Sequence, residues 1–232
     1  MGDARAEQAA ATVVRIGAAV AVAAVVCQSA LYLWSWFVLD RPLYDIGNAA
    51  RFNSSAGDVS VAAAALAVGL LAVSVREVRL PALILTPLLV FLAVDEGTEV
   101  HETIAKHVIG WLHIPHAGPG VVWPFLYAPL LLAVGLLIMR IARAAPPQAR
   151  ELFEIGLAAL VLAVLAQLAW GAVGDRLGYL SDAHIFEIVV EEGGELGGWL
   201  AIATGFAGIV AAHQSRPAPA SSRREPRPGA AA

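Results

Sequence analysis

Cysteine is almost missing from this chain. Cys27 is the only one, which excludes an intramolecular disulfide and any metal site built on thiolates. Lysine is equally rare, with Lys106 alone. Asp, Glu, Lys and Arg together make up 15% of the 232 residues, where an ordinary soluble domain has about 25%. The chain also lacks the apolar/polar alternation over roughly ten-residue segments that a membrane β-barrel requires. Its basic residues sit where helix ends need them, so there is no support for nucleic-acid binding.

What is present is apolar. Hydrophobic residues make up 59% of the chain and the mean hydropathy is +0.71. Runs rich in Ala, Leu, Val and Gly separate the bunched charges. Each is about 20 residues long, enough to cross about 30 Å of hydrocarbon as a helix. In lipid such a helix satisfies its own backbone hydrogen bonds. The fold class is therefore all-α, a polytopic membrane helical bundle. Six spans are expected, at about 15–39, 59–76, 80–109, 122–143, 151–174 and 185–211, forming one transmembrane domain over 1–211. The Pro-, Arg-, Ser- and Ala-rich stretch 212–232 reads as a disordered cytoplasmic tail. The first apolar run continues through Trp34, Trp36 and Leu39, too far for a cleaved signal segment, and is read as a retained membrane helix.

Lysine and arginine set the orientation. With the N-terminus inside, the inner side holds Arg5, Arg15, Arg76, Arg79, Arg140, Arg143, Arg150, Arg216, Arg223, Arg224 and Arg227. The outer side holds only Arg41, Arg51, Lys106 and Arg176. The bias predicts both termini in the cytoplasm and a location in the inner membrane, with the lipid bilayer as principal partner. The heavy use of Ala, Gly, Val and Arg suggests a GC-rich bacterial source.

Two spans carry acids that lipid would not tolerate. Span 3 contains Asp95-Glu96-Gly97-Thr98-Glu99-Val100-His101-Glu102. On a continuous helix Asp95, Glu99, Glu102 and Lys106 share a face, within about 60° of one another, while His101 points elsewhere. In span 6, His184, Glu187, Glu191 and Glu195 share a face within about 80°, with Glu192 to one side. A charged side chain at the middle of a membrane helix costs about 2.5–3.5 kcal/mol. These carboxylates must therefore face each other, water, protons or a metal. Five of the six histidines (His101, His107, His113, His116 and His184) fall on the predicted outer half. Carboxylate with imidazole suits Zn, Fe or Mn, and carboxylate alone suits Ca or Mg. The Glu-x-x-His pattern of di-metal bundles is absent. A different boundary is also consistent with the sequence: span 3 ending near Val94, with 95–107 a solvated helix. Gly193 with Gly197, and Gly194 with Gly198, form small-x-x-x-small pairs. They predict close packing of span 6 on a neighbour such as span 3, or on a second copy or a membrane partner.

The run Asp95-Glu96-x4-His101-Glu102 after an apolar stretch resembles a signature of uncharacterised bacterial multipass integral membrane proteins, and Glu191-Glu192-x2-Glu195 resembles a second acidic element in them. The match covers about 20 residues, and the resemblance implies a choice of residues but no activity.

The reading is an outward-facing intramembrane His/carboxylate cluster that binds a divalent metal ion through Asp95, Glu99, His101, Glu102, His184, Glu191 and Glu195. If the cluster is catalytic, the metal would activate water or polarise a lipid or periplasmic substrate. A proton- or cation-coupled transporter or channel is the first alternative, and a non-catalytic sensor or partner subunit the second. The scarcity of polar residues in the inner half of the spans favours a one-sided site.

Overall fold

The computed structural model describes residues 2–38, 50–114, 118–177 and 182–216, without the side chains of 2, 3, 50–55 and 171–177. Among these residues the chain is seven α-helices: α1 (Gly2–Phe37), α2 (Ala50–Ser74), α3 (Arg79–Thr98), α4 (Val100–Leu112), α5 (Pro119–Ala142), α6 (Pro147–Leu177) and α7 (Asp182–Gln214), with a 3-10 turn at Arg76–Val78. All but α4 are long and apolar enough to cross a membrane. The chain is an all-α polytopic membrane bundle.

Successive spans alternate in direction. The start of α1 and the end of α7 lie at one end of the bundle, beside Arg76, Arg140 and Arg143; we call this the basic end. The last turn of α3, helix α4 and the first turns of α7 lie at the opposite, acidic end.

Helix α7 is the most buried of the six spans and packs on α1, α2 and α6. Its glycines make this possible. A Cβ on Gly198 would stand 2.9 Å from the Gly156 carbonyl oxygen of α6, and one on Gly194 would stand 3.0 Å from the Ala159 carbonyl oxygen. On the other side, Cβ atoms on Gly193 and Gly197 would meet Val25 of α1 at 3.5 and 3.0 Å. Both small-residue stripes are thus covered within the chain by α6 and α1, and neither packs on α3 as the sequence reading expected.

The expected single span 80–109 is two helices. Glu99 adopts φ 52° and ψ 34°, left-handed for a residue that carries a Cβ, a conformation costing about 1–2 kcal/mol. The chain turns there. Helix α4 has 13 residues, about 20 Å of helix, too short to cross, and packs on α5. It ends at His113, also left-handed, whose backbone N–H closes on the Ile109 carbonyl. The alternative boundary was nearer, although α3 continues to Thr98 rather than stopping at Val94. Helix α7 runs past the expected end of span 6 at 211 to Gln214. Residues 217–232 of the expected tail lie outside the described residues.

Candidate functional site

The turn at Glu99 folds α4 back over the last turn of α3 and brings His101 onto Asp95. Asp95 is 4% exposed and receives three hydrogen bonds. Its Oδ1 accepts from the His101 backbone N–H at 3.0 Å and from the Tyr127 hydroxyl of α5 at 2.9 Å. Its Oδ2 lies 2.8 Å from His101 Nδ1. A hydrogen bond to a carboxylate contributes about 1.5–3 kcal/mol, and three of them offset the cost of burying the charge. The backbone contact also caps the start of α4. A carboxylate at Nδ1 holds the ring hydrogen there, and Nε2 is left with no hydrogen bond among the described residues. The His101 ring is held from the side by Trp123, at a centroid distance of 4.7 Å, and by Tyr127 at 6.1 Å.

His101 of α4 lines a cavity of about 650 Å³ formed with α3, α5, α6 and α7, with Val61 of α2 at its edge. One end is polar and holds Asp95, Glu96, His101, Trp123, Tyr127 and Glu195. The rest is a cleft of aliphatic side chains from α5 and α6. Phe125, Leu132, Val161 and Leu165 line it and are also exposed on the outside of the bundle, so the cleft opens sideways toward lipid. The indole N–H of Trp123 is buried without a partner among the described residues.

Around the polar end the acids gather, and among the described residues no lysine or arginine stands beside them. Glu96 has His101, Glu192, Asp58 and Asp95 as its electrostatic neighbours, and Glu195 has Glu96 and Glu192. A Cβ on Gly97 would stand 2.9 Å from Asp58 Oδ2 of α2, so this carboxyl lies directly against the last turn of α3. Asp58 Oδ1 is buried without a partner among the described residues. Farther toward the acidic end, Glu187 and Glu191 stand about one turn apart on α7, and His184 Nδ1 lies 3.1 Å from Glu187 Oε2. The His184 ring stacks on Trp170 of α6 at 4.5 Å. The Trp36 indole N–H donates to Asp182 at 2.8 Å, tying the end of α1 to the start of α7. Among the described residues no lysine or arginine neighbours Glu96, Glu191, Glu192 or Glu195.

The expected residues therefore divide. Asp95, His101 and Glu195 come together at the cavity. Glu191 and His184 belong to the neighbouring string on α7. Glu99 and Glu102 do not join either. Glu99 is exposed at the turn, and Glu102 pairs with Lys106 at 2.9 Å on the outer face of α4. The reason is the break at Glu99: the shared face of Asp95, Glu99, Glu102 and Lys106 exists only on a continuous helix. The hydrogen bond to Glu102, with its negative charge, holds the Lys106 ammonium above its ordinary 10.5. Asp58, Glu96, Glu192, Trp123 and Tyr127 were not assigned to the site from sequence. Asp58 carried a signal, as the lone acid at the start of an otherwise apolar span. Tyr127 carried none. His116 lies outside the described residues. Among the described residues no three His, Cys, Asp or Glu side chains already stand close enough to enclose a metal ion.

The chain belongs to the family described as a domain of unknown function (DUF8692), whose model matches residues 13–209. No curated protein and no solved structure matches it.

Proposed function

We propose that the protein binds a cation, a divalent metal, at a one-sided His/carboxylate centre at the polar end of the cleft. The supporting observation is the Asp95–His101 pair. A histidine that ligates a metal typically donates its other ring N–H to a carboxylate, which fixes the ring and raises its basicity. His101 has that arrangement, with Nε2 unengaged, and Glu96 and Glu195 line the same cavity. In this reading His101, Glu96 and Glu195 are the ligands and Asp95 orients His101 without touching the ion. Among the described residues the carboxylates outnumber the lysines and arginines beside them, which favours a doubly charged occupant. The cleft gives an apolar molecule access to the ion from the bilayer. If the centre is catalytic, its substrate is a lipid or another amphiphile, and the metal polarises the group that reacts.

The test is calorimetric titration of Zn²⁺ or Mn²⁺ into chelator-treated protein in detergent. One equivalent should bind to the wild type, with loss of binding in Glu195→Gln and in Glu96→Gln. Equal binding by all three would refute the assignment.

A second reading takes the cations to be protons moving to or from a transported or reacting molecule. One observation favours it: His184, Glu187, Glu191 and Glu195 follow one another at about one turn's spacing along α7, with His184 Nδ1 3.1 Å from Glu187 Oε2. The series His184, Glu187, Glu191, Glu195 would then carry protons from the acidic end to the cavity. Proton uptake by proteoliposomes without metal binding would select this reading. Below Glu195 the interior of α7 is Trp199, Ile202 and Phe206, which supports access from one side.

A further inference from the structure

The basic end of the bundle holds a second cavity, of about 440 Å³, between the turn at Arg76–Val78, the first turns of α3 and the last turn of α5. Arg76, Arg140 and Arg143 line it, and Glu77 is its one acid. Arg140 in the last turn of α5 and Arg143 at its C-cap stand one turn apart. Among the described residues none of the three guanidinium groups has an ion pair or a side-chain hydrogen bond. The floor is apolar, with Leu80, Pro81, Ile84 and Leu137. A contiguous hollow of about 390 Å³ continues from Arg140 and Arg143 past Leu136 and Met139. Leu80, Ile84, Leu136 and Met139 are all exposed on the outside of the bundle, where hydrocarbon would meet them.

We propose that this hollow is a binding site for an anionic phospholipid. Its phosphate lies among Arg76, Arg140 and Arg143, and its chain runs along Leu80, Ile84 and Leu136. Guanidinium groups suit phosphate because their planar fork can donate two hydrogen bonds to it. Basic pockets between membrane helices at the cytoplasmic side hold anionic headgroups by the same chemistry. The three arginines less Glu77 leave a local excess of two positive charges, which a zwitterionic headgroup does not neutralise. Orientation in the membrane requires basic residues at this end but does not require that three converge unpaired on one hollow. A free phosphate ion would use the charge and leave the apolar floor uncovered, so the lipid is the better match. The site is at the opposite end from the acidic centre and does not depend on it.

Native mass spectrometry of the full chain in neutral detergent tests this, with phosphatidylglycerol and phosphatidylcholine titrated separately and inorganic phosphate as competitor. The wild type should retain phosphatidylglycerol at least about tenfold more tightly. An arginine near the membrane surface contributes about a fivefold factor, so Arg140→Gln with Arg143→Gln should weaken phosphatidylglycerol about 25-fold and leave phosphatidylcholine unchanged. All three arginines are exposed, so the variant should keep its helical circular dichroism. Arg216→Gln removes one charge at the same end but outside the hollow, and should leave lipid preference intact. Equal retention of the two lipids, or an equal effect of Arg216→Gln, would overturn the proposal. Displacement of the lipid by inorganic phosphate at matching concentration would also overturn it, and would assign the hollow to a soluble phosphate compound.

Discussion

Asp95 Oδ2 stands 2.8 Å from His101 Nδ1, although the two residues are six apart and would face different ways on one helix. The left-handed turn at Glu99 makes the pairing, and the backbone N–H of His101 on Oδ1 of the same carboxylate fixes it. In the proposed centre Asp95 would act on His101 rather than on the ion. Replacing a partner of this kind typically costs 10–100-fold in metal affinity. Asp95→Asn should weaken Zn²⁺ or Mn²⁺ by about that factor while one equivalent still binds at saturation, and His101→Gln should abolish binding. Isothermal titration of the two variants checks this. Equal loss in both would make Asp95 a ligand.

Glu99 matters through its backbone. Its carboxyl is exposed, so Glu99→Gln should leave cation binding unchanged, contrary to what the sequence pattern predicts. Glu99→Gly removes the Cβ penalty at φ 52° and should stabilise the protein by about 1 kcal/mol. Glu99→Val should destabilise it and weaken the cation, because a β-branched residue resists this conformation. Unfolding in mixed micelles and titration of the same samples read both effects.

The glycines of the α6–α7 seam and that of α4 should respond oppositely to alanine. A Cβ at Gly156 would meet the Gly198 carbonyl oxygen at 2.7 Å and Ile202 Cγ1 at 2.8 Å, so Gly156→Ala must push the helices apart, at about 1–3 kcal/mol. Nothing lies within 4 Å of a Cβ at Gly110, and Gly110→Ala should gain about 0.5–1 kcal/mol from helix propensity alone. Thermal unfolding in detergent separates the two. A neutral Gly156→Ala would contradict the packing described.

The Lys106–Glu102 pair should be a minor and salt-sensitive contributor. Lys106 is raised by its bond to Glu102, so the stabilisation is fully present below the unfolded lysine value near 10.5 and is lost as pH rises through the higher folded value. Exposure and solvent screening limit it to about 0.3–0.5 kcal/mol. Glu102→Gln should therefore change stability by no more than that near neutral pH, should reduce the alkaline dependence, and should leave cation binding intact. Stability measured from pH 8 to 12 at two salt concentrations checks the sign.

The sequence revealed the six spans because apolar length is a one-dimensional property, and the acids of α3 and α7 stood out because lipid penalises them. The partition of those acids was not legible. It depends on Glu99 leaving helical geometry, and nothing in Gly97-Thr98-Glu99-Val100 marks that residue rather than Gly97 as the left-handed one. Reading 80–109 as one helix put Glu99 and Glu102 beside Asp95 and sent His101 away, the reverse of what the turn produces. Tyr127 was invisible for a different reason: a tyrosine in an apolar span becomes a partner of Asp95 only once α5 is packed beside α3. The glycine pairs of α7 were visible as close-packing surfaces, but which helix each pair meets is a property of the bundle.

The most direct test of the central claim is elemental analysis of the protein purified in mild detergent without chelator, wild type beside His101→Gln and Glu195→Gln. The account predicts about one divalent metal per wild-type chain and none in either variant, with both variants eluting as the wild type does on size exclusion. An equal metal content in all three, or no metal in the wild type even after reconstitution with Zn²⁺ or Mn²⁺, would contradict it.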